Sequence, residues 1–211
     1  SSDVCSSDLE KTTIRGNIHD AGMESYAFSG MQGWRVTMED AHLVCTDIRV
    51  EGREEPLKGH AIFGVMDGHG GDFTSEFASD NFMRIFTASA RFKKYASMSV
   101  EDQANVPGIE CLRPALAETF ARLDVELHKQ QNKRNDELLA LSKHQQEAAE
   151  MPARVKFERS GSTCIVVLVT PSHIISANAG DSRAIIRRAG KVRARHDMKY
   201  RYATKIVIIS N

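Results

Sequence analysis

The sequence predicts an α+β fold, on three observations. Strand-length apolar runs occupy 24–31, 41–50 and 61–66. A middle stretch then repeats its apolar residues at helical spacing. Strand-length runs return at 163–169, 173–179 and 183–188, the first of them mostly β-branched. Strands, two helical segments and strands again suit helices laid over a sheet.

The early runs at 24–31 and 41–50 alternate loosely around Tyr26, Phe28, Leu43, Val44 and Ile48. Glu51 to Gly59 is a charged turn. Ala61-Ile62-Phe63-Gly64-Val65-Met66 reads as a buried strand leading into Asp67. Asp72 is placed to cap a helix whose face is Phe73, Phe77, Phe82, Ile85 and Phe86, running through residue 90. A polar connector ends at Pro107-Gly108. Pro114 marks the start of a second helix with Leu116, Phe120, Leu123 and Leu127 on its buried face. The Gln-, Lys- and Glu-rich stretch 128–157 reads as an exposed helical extension and linker. Ala189-Gly190 is a hairpin turn. Nothing around Lys205 to Ile209 suggests a strand partner for that apolar run.

Two short segments carry the chemistry, Arg35-Val36-Thr37-Met38-Glu39-Asp40 and Asp67-Gly68-His69-Gly70-Gly71. They set an arginine, three carboxylates and a histidine beside glycines, next to strand-like runs. Carboxylate and carbonyl oxygens suit magnesium or manganese. The arginine fork matches a phosphate, and a histidine can protonate a leaving oxygen near neutral pH. Asp67 ends a strand, where a carboxylate can bridge two metal ions about 3.5–4 Å apart that activate a water. Each residue also has a plainer reading. Asp67-Gly68 is a common turn pair, Glu39-Asp40 an exposed acidic pair, Arg35 a surface cation, His69 a packing or capping group, and Asp181-Ser182 a turn.

These segments, together with Ser160-Gly161-Ser162-Thr163 and Asn178-Ala179-Gly180-Asp181-Ser182-Arg183, resemble the metal-dependent serine/threonine protein phosphatases of type 2C, in the family's order. The resemblance spans 24–193 and matches poorly near 128–157. It implies a sandwich of two antiparallel β-sheets flanked by helices. It implies hydrolysis of phosphoserine and phosphothreonine in proteins by water activated at a pair of Mg2+ or Mn2+ ions. Asp67, the Gly68 carbonyl, Glu39 and Asp40 then belong to the metal site and Asp181 to a third, weaker one. Arg35 holds the phosphate and His69 protonates the leaving group. Ser162 and Thr163 read as packing residues.

The family's later metal aspartates, in an Asp-Gly-x-Trp-Asp segment and an Asp-Asn pair, have no counterpart here. The expectation is therefore a C-terminally truncated domain over 24–193, with a divergent tail at 194–211, a tail or cloning scar at 1–9 and little activity of its own. A non-catalytic pseudophosphatase is the alternative.

Composition limits the rest. A chain of 211 residues with 41% hydrophobic content supports one domain with a core. Lys+Arg and Asp+Glu both number 28, which disfavours nucleic acid as a partner. No run approaches the roughly 20 residues of a transmembrane helix. Four scattered cysteines suggest free thiols in a reducing compartment. A cytoplasmic or nuclear location and a monomeric complete protein are the corresponding expectations.

Overall fold

The computed structural model describes residues 11–18, 23–146, 157–188, 191–193, 197–199 and 204–209. The tail over 1–9, part of the linker and the Ala189-Gly190 turn lie outside them.

Strands β1 (Lys11–Ile18) and β2 (Met23–Met31) form an antiparallel pair. β3 (Ala41–Cys45) and β4 (Ala61–Met66) follow, then the two-residue β5 (Gly68–His69). Four helices come next: α1 (Phe73–Ala88), α2 (Ala90–Ser97), α3 (Val100–Gln103) and α4 (Val106–Gln146). The chain returns to strands with β6 (Gly161–Ser162), β7 (Cys164–Val169), β8 (His173–Ala179) and β9 (Arg183–Arg188). The last three are β10 (Lys191–Arg193), β11 (Asp197–Lys199) and β12 (Thr204–Ile209).

The main sheet has the order β11-β8-β7-β4-β3, and each neighbouring pair is antiparallel. Its parity divides the side chains. Ile62, Met66, Cys164, Val166 and Leu168 join Phe82, Ile85, Phe86, Leu112 and Leu116 of the helices in one core. The odd-numbered residues of β4 and β7 and the even-numbered His42 of β3 face the other way, where Tyr26 of β2 meets Phe63 at 5.4 Å and Phe28 stacks on His42 at 3.8 Å. All six residues of β7 are therefore buried. A strand covered on both faces needs a continuous apolar run, and Cys164-Ile165-Val166-Val167-Leu168-Val169 supplies it. The second layer consists of β1-β2 and of β10-β9-β12, whose β9 and β12 contact β7 and β4. The result is α+β, antiparallel sheets flanked by helices.

Several elements differ from the sequence reading. The first helix stops at Ala88, because Ser89 takes extended angles and a second helix starts after it. Asp72 sits at the α1 N-cap position but makes no side-chain cap bond. The Thr74 N–H is served instead by Ser160 Oγ at 3.2 Å, from the far side of the chain. α4 begins at Val106, so Pro107 takes the first turn, where its missing N–H is harmless. Pro114 lies inside the helix. That position is locally unfavourable by about 3 kcal/mol, and burial of Cys111, Leu112, Ala115 and Leu116 around it offsets this. The Lys205 to Ile209 run has a partner after all, since β12 pairs with β9.

A buried polar pair fastens α2 to the sheet. Tyr95, fully buried, bonds His60 Nε2 at 2.7 Å, while His60 Nδ1 meets the Lys58 carbonyl at 2.8 Å. A carbonyl only accepts, so Nδ1 carries the proton and Nε2 accepts from the Tyr95 hydroxyl. Burial pushes the Tyr95 phenol far above its ordinary range and holds the His60 imidazole below its own. Tyr95→Phe leaves Nε2 buried without its donor. It should destabilise the chain by about 1–3 kcal/mol in urea unfolding, and an unchanged midpoint would remove this bond from the account.

Candidate active site

The site forms where β4 runs out. Asp67 follows Met66 and is half-buried. Its peptide is held on both sides by β6 and the residue beyond. The Asp67 N–H donates to Thr163 Oγ1 at 3.1 Å, and its carbonyl accepts from the Thr163 N–H at 2.9 Å and Ser162 Oγ at 3.2 Å. Ser162 and Thr163, read from sequence as packing residues, thus fix the backbone from which the Asp67 carboxylate projects.

Gly68 meets the preceding loop at very close range. A Cβ there would lie 2.1 Å from the Glu39 carbonyl oxygen and 2.9 Å from Ser75 Oγ. Its φ is outside the left-handed region, so the contact, not the backbone angle, demands glycine. Ser75, on the first turn of α1, donates to the Glu39 carbonyl and lies 2.8 Å from the Asp72 carbonyl. One hydroxyl therefore ties the acidic loop to the helix that follows Asp67.

Asp40 lies next to this contact, with the Gly68 N–H near enough to favour its ionised form. Its carboxyl is harder to ionise than usual. Partial burial is the main cause, and the negative charges of Asp67 and Glu39 add to it, while the Gly68 N–H and the Arg35 guanidinium oppose it. These couplings bring Asp40, Asp67, Glu39, Gly68 and Arg35 into one neighbourhood. Glu39 is half-buried and accepts from Thr37 Oγ1 at 3.3 Å. Arg35 is exposed, on a loop steadied by Gln32, whose side chain donates to the Arg35 carbonyl at 2.8 Å. A cavity of about 120 Å³ opens beside Asp40, between Phe28, Gly30, Met38 and Val65.

His69 is exposed, and its ring lies against Gly161, its register partner in the β5–β6 pair. Asp181 is exposed on the turn between β8 and β9. That turn is bound to the same Thr163. Ser182 Oγ lies 2.8 Å from Thr163 Oγ1, and Gly180, at φ +105°, packs on the Thr163 side chain. Asn178 Nδ2 donates to the Gly180 and Ser182 carbonyls at 3.2 and 2.9 Å. Asp181 thus sits on a turn anchored to the same residue that clasps the Asp67 peptide.

Among the described residues, no three His, Cys, Asp or Glu side chains gather as a ready-made metal cage. The donors that do converge are hard oxygens, and the mutual repulsion of Asp40 and Asp67 is the kind a divalent cation relieves. Mg2+ binds through one or two carboxylates and keeps several waters, so the donor set fits a hydrated dication.

Known proteins give independent information. The family model described as protein phosphatase 2C matches residues 24–201. Protein phosphatase 1B of Bos taurus is 30% identical over 181 residues, covering 85% of this chain and 32% of that protein. Human protein phosphatase 1A is 29% identical over 167 residues, covering 79% of this chain and 35% of that protein. The chain thus spans about a third of the curated relatives it matches. Its fold is similar to that of serine-threonine phosphatase 2C from Toxoplasma gondii, with a TM-score of 0.53 at 19% identity, covering 92% of this chain and 49% of that one.

Gly68→Ala places a methyl group on the Glu39 carbonyl, and the backbone on one side must retreat. The substitution should destabilise the protein by about 1–3 kcal/mol, read from the shift of the urea midpoint. An alanine variant as stable as the parent would mean that the two segments are not in contact.

Proposed function

The chain belongs to the protein phosphatase 2C family, and we propose that it carries the acidic and phosphate-binding part of a site that hydrolyses phosphoserine and phosphothreonine in proteins. The observation that carries this reading is the convergence of Asp40, Asp67 and Arg35 around the Gly68 contact. Two carboxylates forced together beside one arginine would repel both each other and a phosphate. The arrangement makes sense when a dication sits between them.

Mg2+ or Mn2+, bound as a pair, supplies water activated near neutral pH and screens the charge of the phosphate. Asp67, the Gly68 carbonyl and Asp40 would hold that pair, with Glu39 ordering the surrounding water and Asp181 serving a third, weaker site. Arg35 receives two phosphate oxygens in its planar fork and orients phosphorus towards the acidic cluster. His69, protonated, donates to the seryl or threonyl oxygen as its bond to phosphorus breaks, so that an alcohol departs rather than an alkoxide. No described helix is long and apolar enough to cross a membrane.

Asp67→Asn keeps the shape of the side chain and removes its charge. Titration calorimetry with Mn2+ should show affinity weakened by roughly tenfold or more, at least what loss of a partner outside the ligand set costs, and in the full-length protein phosphopeptide turnover should fall with it. Unchanged Mn2+ affinity and turnover within a few-fold of the parent would refute the metal role of Asp67.

His69→Ala separates substrates by leaving group. In the full-length protein, turnover of a phosphoserine peptide should fall by about 10²–10⁴-fold, the usual contribution of a general acid. An aryl phosphate, whose leaving group needs no proton, should lose far less. Equal losses on the two substrates would assign His69 a structural role.

A further inference from the structure

We propose that Gly161 is a positioning residue for His69: its bare Cα is the floor against which the imidazole rests, and glycine is required there for that reason. This rests on the proton-donor role of His69 proposed above. A Cβ on Gly161 would lie 2.3 Å from His69 Nε2 and 2.7 Å from Cε1. No real side chain fits under the ring at those distances. The backbone does not explain the glycine, because Gly161 is outside the left-handed region that Gly70, Gly71 and Gly180 occupy. An alanine is acceptable to the chain at 161 and unacceptable to the imidazole above it.

The floor is also rigid. The Ser160 carbonyl accepts from Thr74 Oγ1 at 2.8 Å and from Gln131 Nε2 at 3.0 Å. The Ser160 N–H donates to Glu158 Oε1 at 2.8 Å, and Asn135 of α4 bonds both the N–H and the carbonyl of Glu158. On the other side, Ser162 and Thr163 are bonded to the Asp67 peptide. Ser160 and Thr74 are buried. β6 is thus held from helix α4 on one flank and from Asp67 on the other. It cannot sink to make room for a methyl group. The exposed imidazole is the part that yields, and Nε2, the atom nearest the added carbon, is displaced most. Misplacement of a reacting group by about an ångström can lower turnover by about 10²-fold.

The test compares Gly161→Ala, His69→Ala and the double variant in the full-length protein. Gly161→Ala should lower kcat on a phosphoserine peptide by about 10²-fold, leave KM little changed, and spare the aryl phosphate. In the protein without added metal, the His69 Cε1–H NMR resonance, assigned by its loss in His69→Ala, should move in Gly161→Ala. The double variant should be no slower than His69→Ala alone, and should melt at the same temperature, because the methyl then has space. If Gly161→Ala fails to fold, the His69→Ala background decides: an unchanged melt there supports the seat, and unfolding there overturns it. An unmoved His69 resonance, or losses that add in the double variant, would also overturn it. If His69→Ala itself shows no leaving-group dependence, the proton-donor reading falls, while the resonance shift still judges whether Gly161 seats the ring.

Discussion

The approach of Gly68 to the Glu39 carbonyl is the constraint on which the site depends. Two acidic segments with every electrostatic reason to separate are held at van der Waals contact. Partial burial, and after it the negative charges of Asp67 and Glu39, make the Asp40 carboxyl harder to ionise. The Arg35 guanidinium and a set of neutral groups oppose the repulsion. The Ser75 hydroxyl holds the Glu39 carbonyl, the Gly68 N–H favours the ionised Asp40, and Thr163 clasps the Asp67 peptide on both sides.

The rest of the fold keeps that contact in place. β4 delivers Asp67 from the middle of the main sheet, between β3 and β7. β3 starts at Ala41, one residue after Asp40, and pairs with Met66, one residue before Asp67. The two carboxylates therefore leave neighbouring strand ends in register. α1 rises from the same corner, its first turn engaged by Ser160, and α4 grips Ser160 and Glu158 through Gln131 and Asn135. Sheet and helices thus meet at the site, and not only in the apolar core.

Much of this was legible in the sequence, for physical reasons. The strand β7 declares itself by an unbroken apolar run, because both of its faces are covered. Asp67-Gly68-His69 and Glu39-Asp40 stand out because charged residues gather where apolar, strand-like runs begin or end. The extents of β8 and β9 also match the periodicity. The clasp escaped notice because it is made of hydroxyls. Ser75, Ser162, Thr163 and Ser182 are ordinary residues whose value depends on partners up to 96 positions away. The absent Asp72 cap has the same origin, since Ser160 serves the helix terminus from a distance. Pro107 and Pro114 misplaced the start of α4, because buried neighbours outweigh a local penalty that the sequence alone makes conspicuous. Gly161 was visible within its motif, but the ring that makes it necessary comes from another strand.

The most direct test of the central claim is paramagnetic broadening of the amide resonances by Mn2+ added at low stoichiometry. The account predicts that Glu39, Asp40, Asp67 and Gly68 broaden first and together, that Asp181 follows at higher metal, and that β7 and the buried face of α4 remain sharp. Broadening that begins elsewhere, or that spreads evenly over the acidic surface, would show that the Gly68 contact does not assemble a metal site.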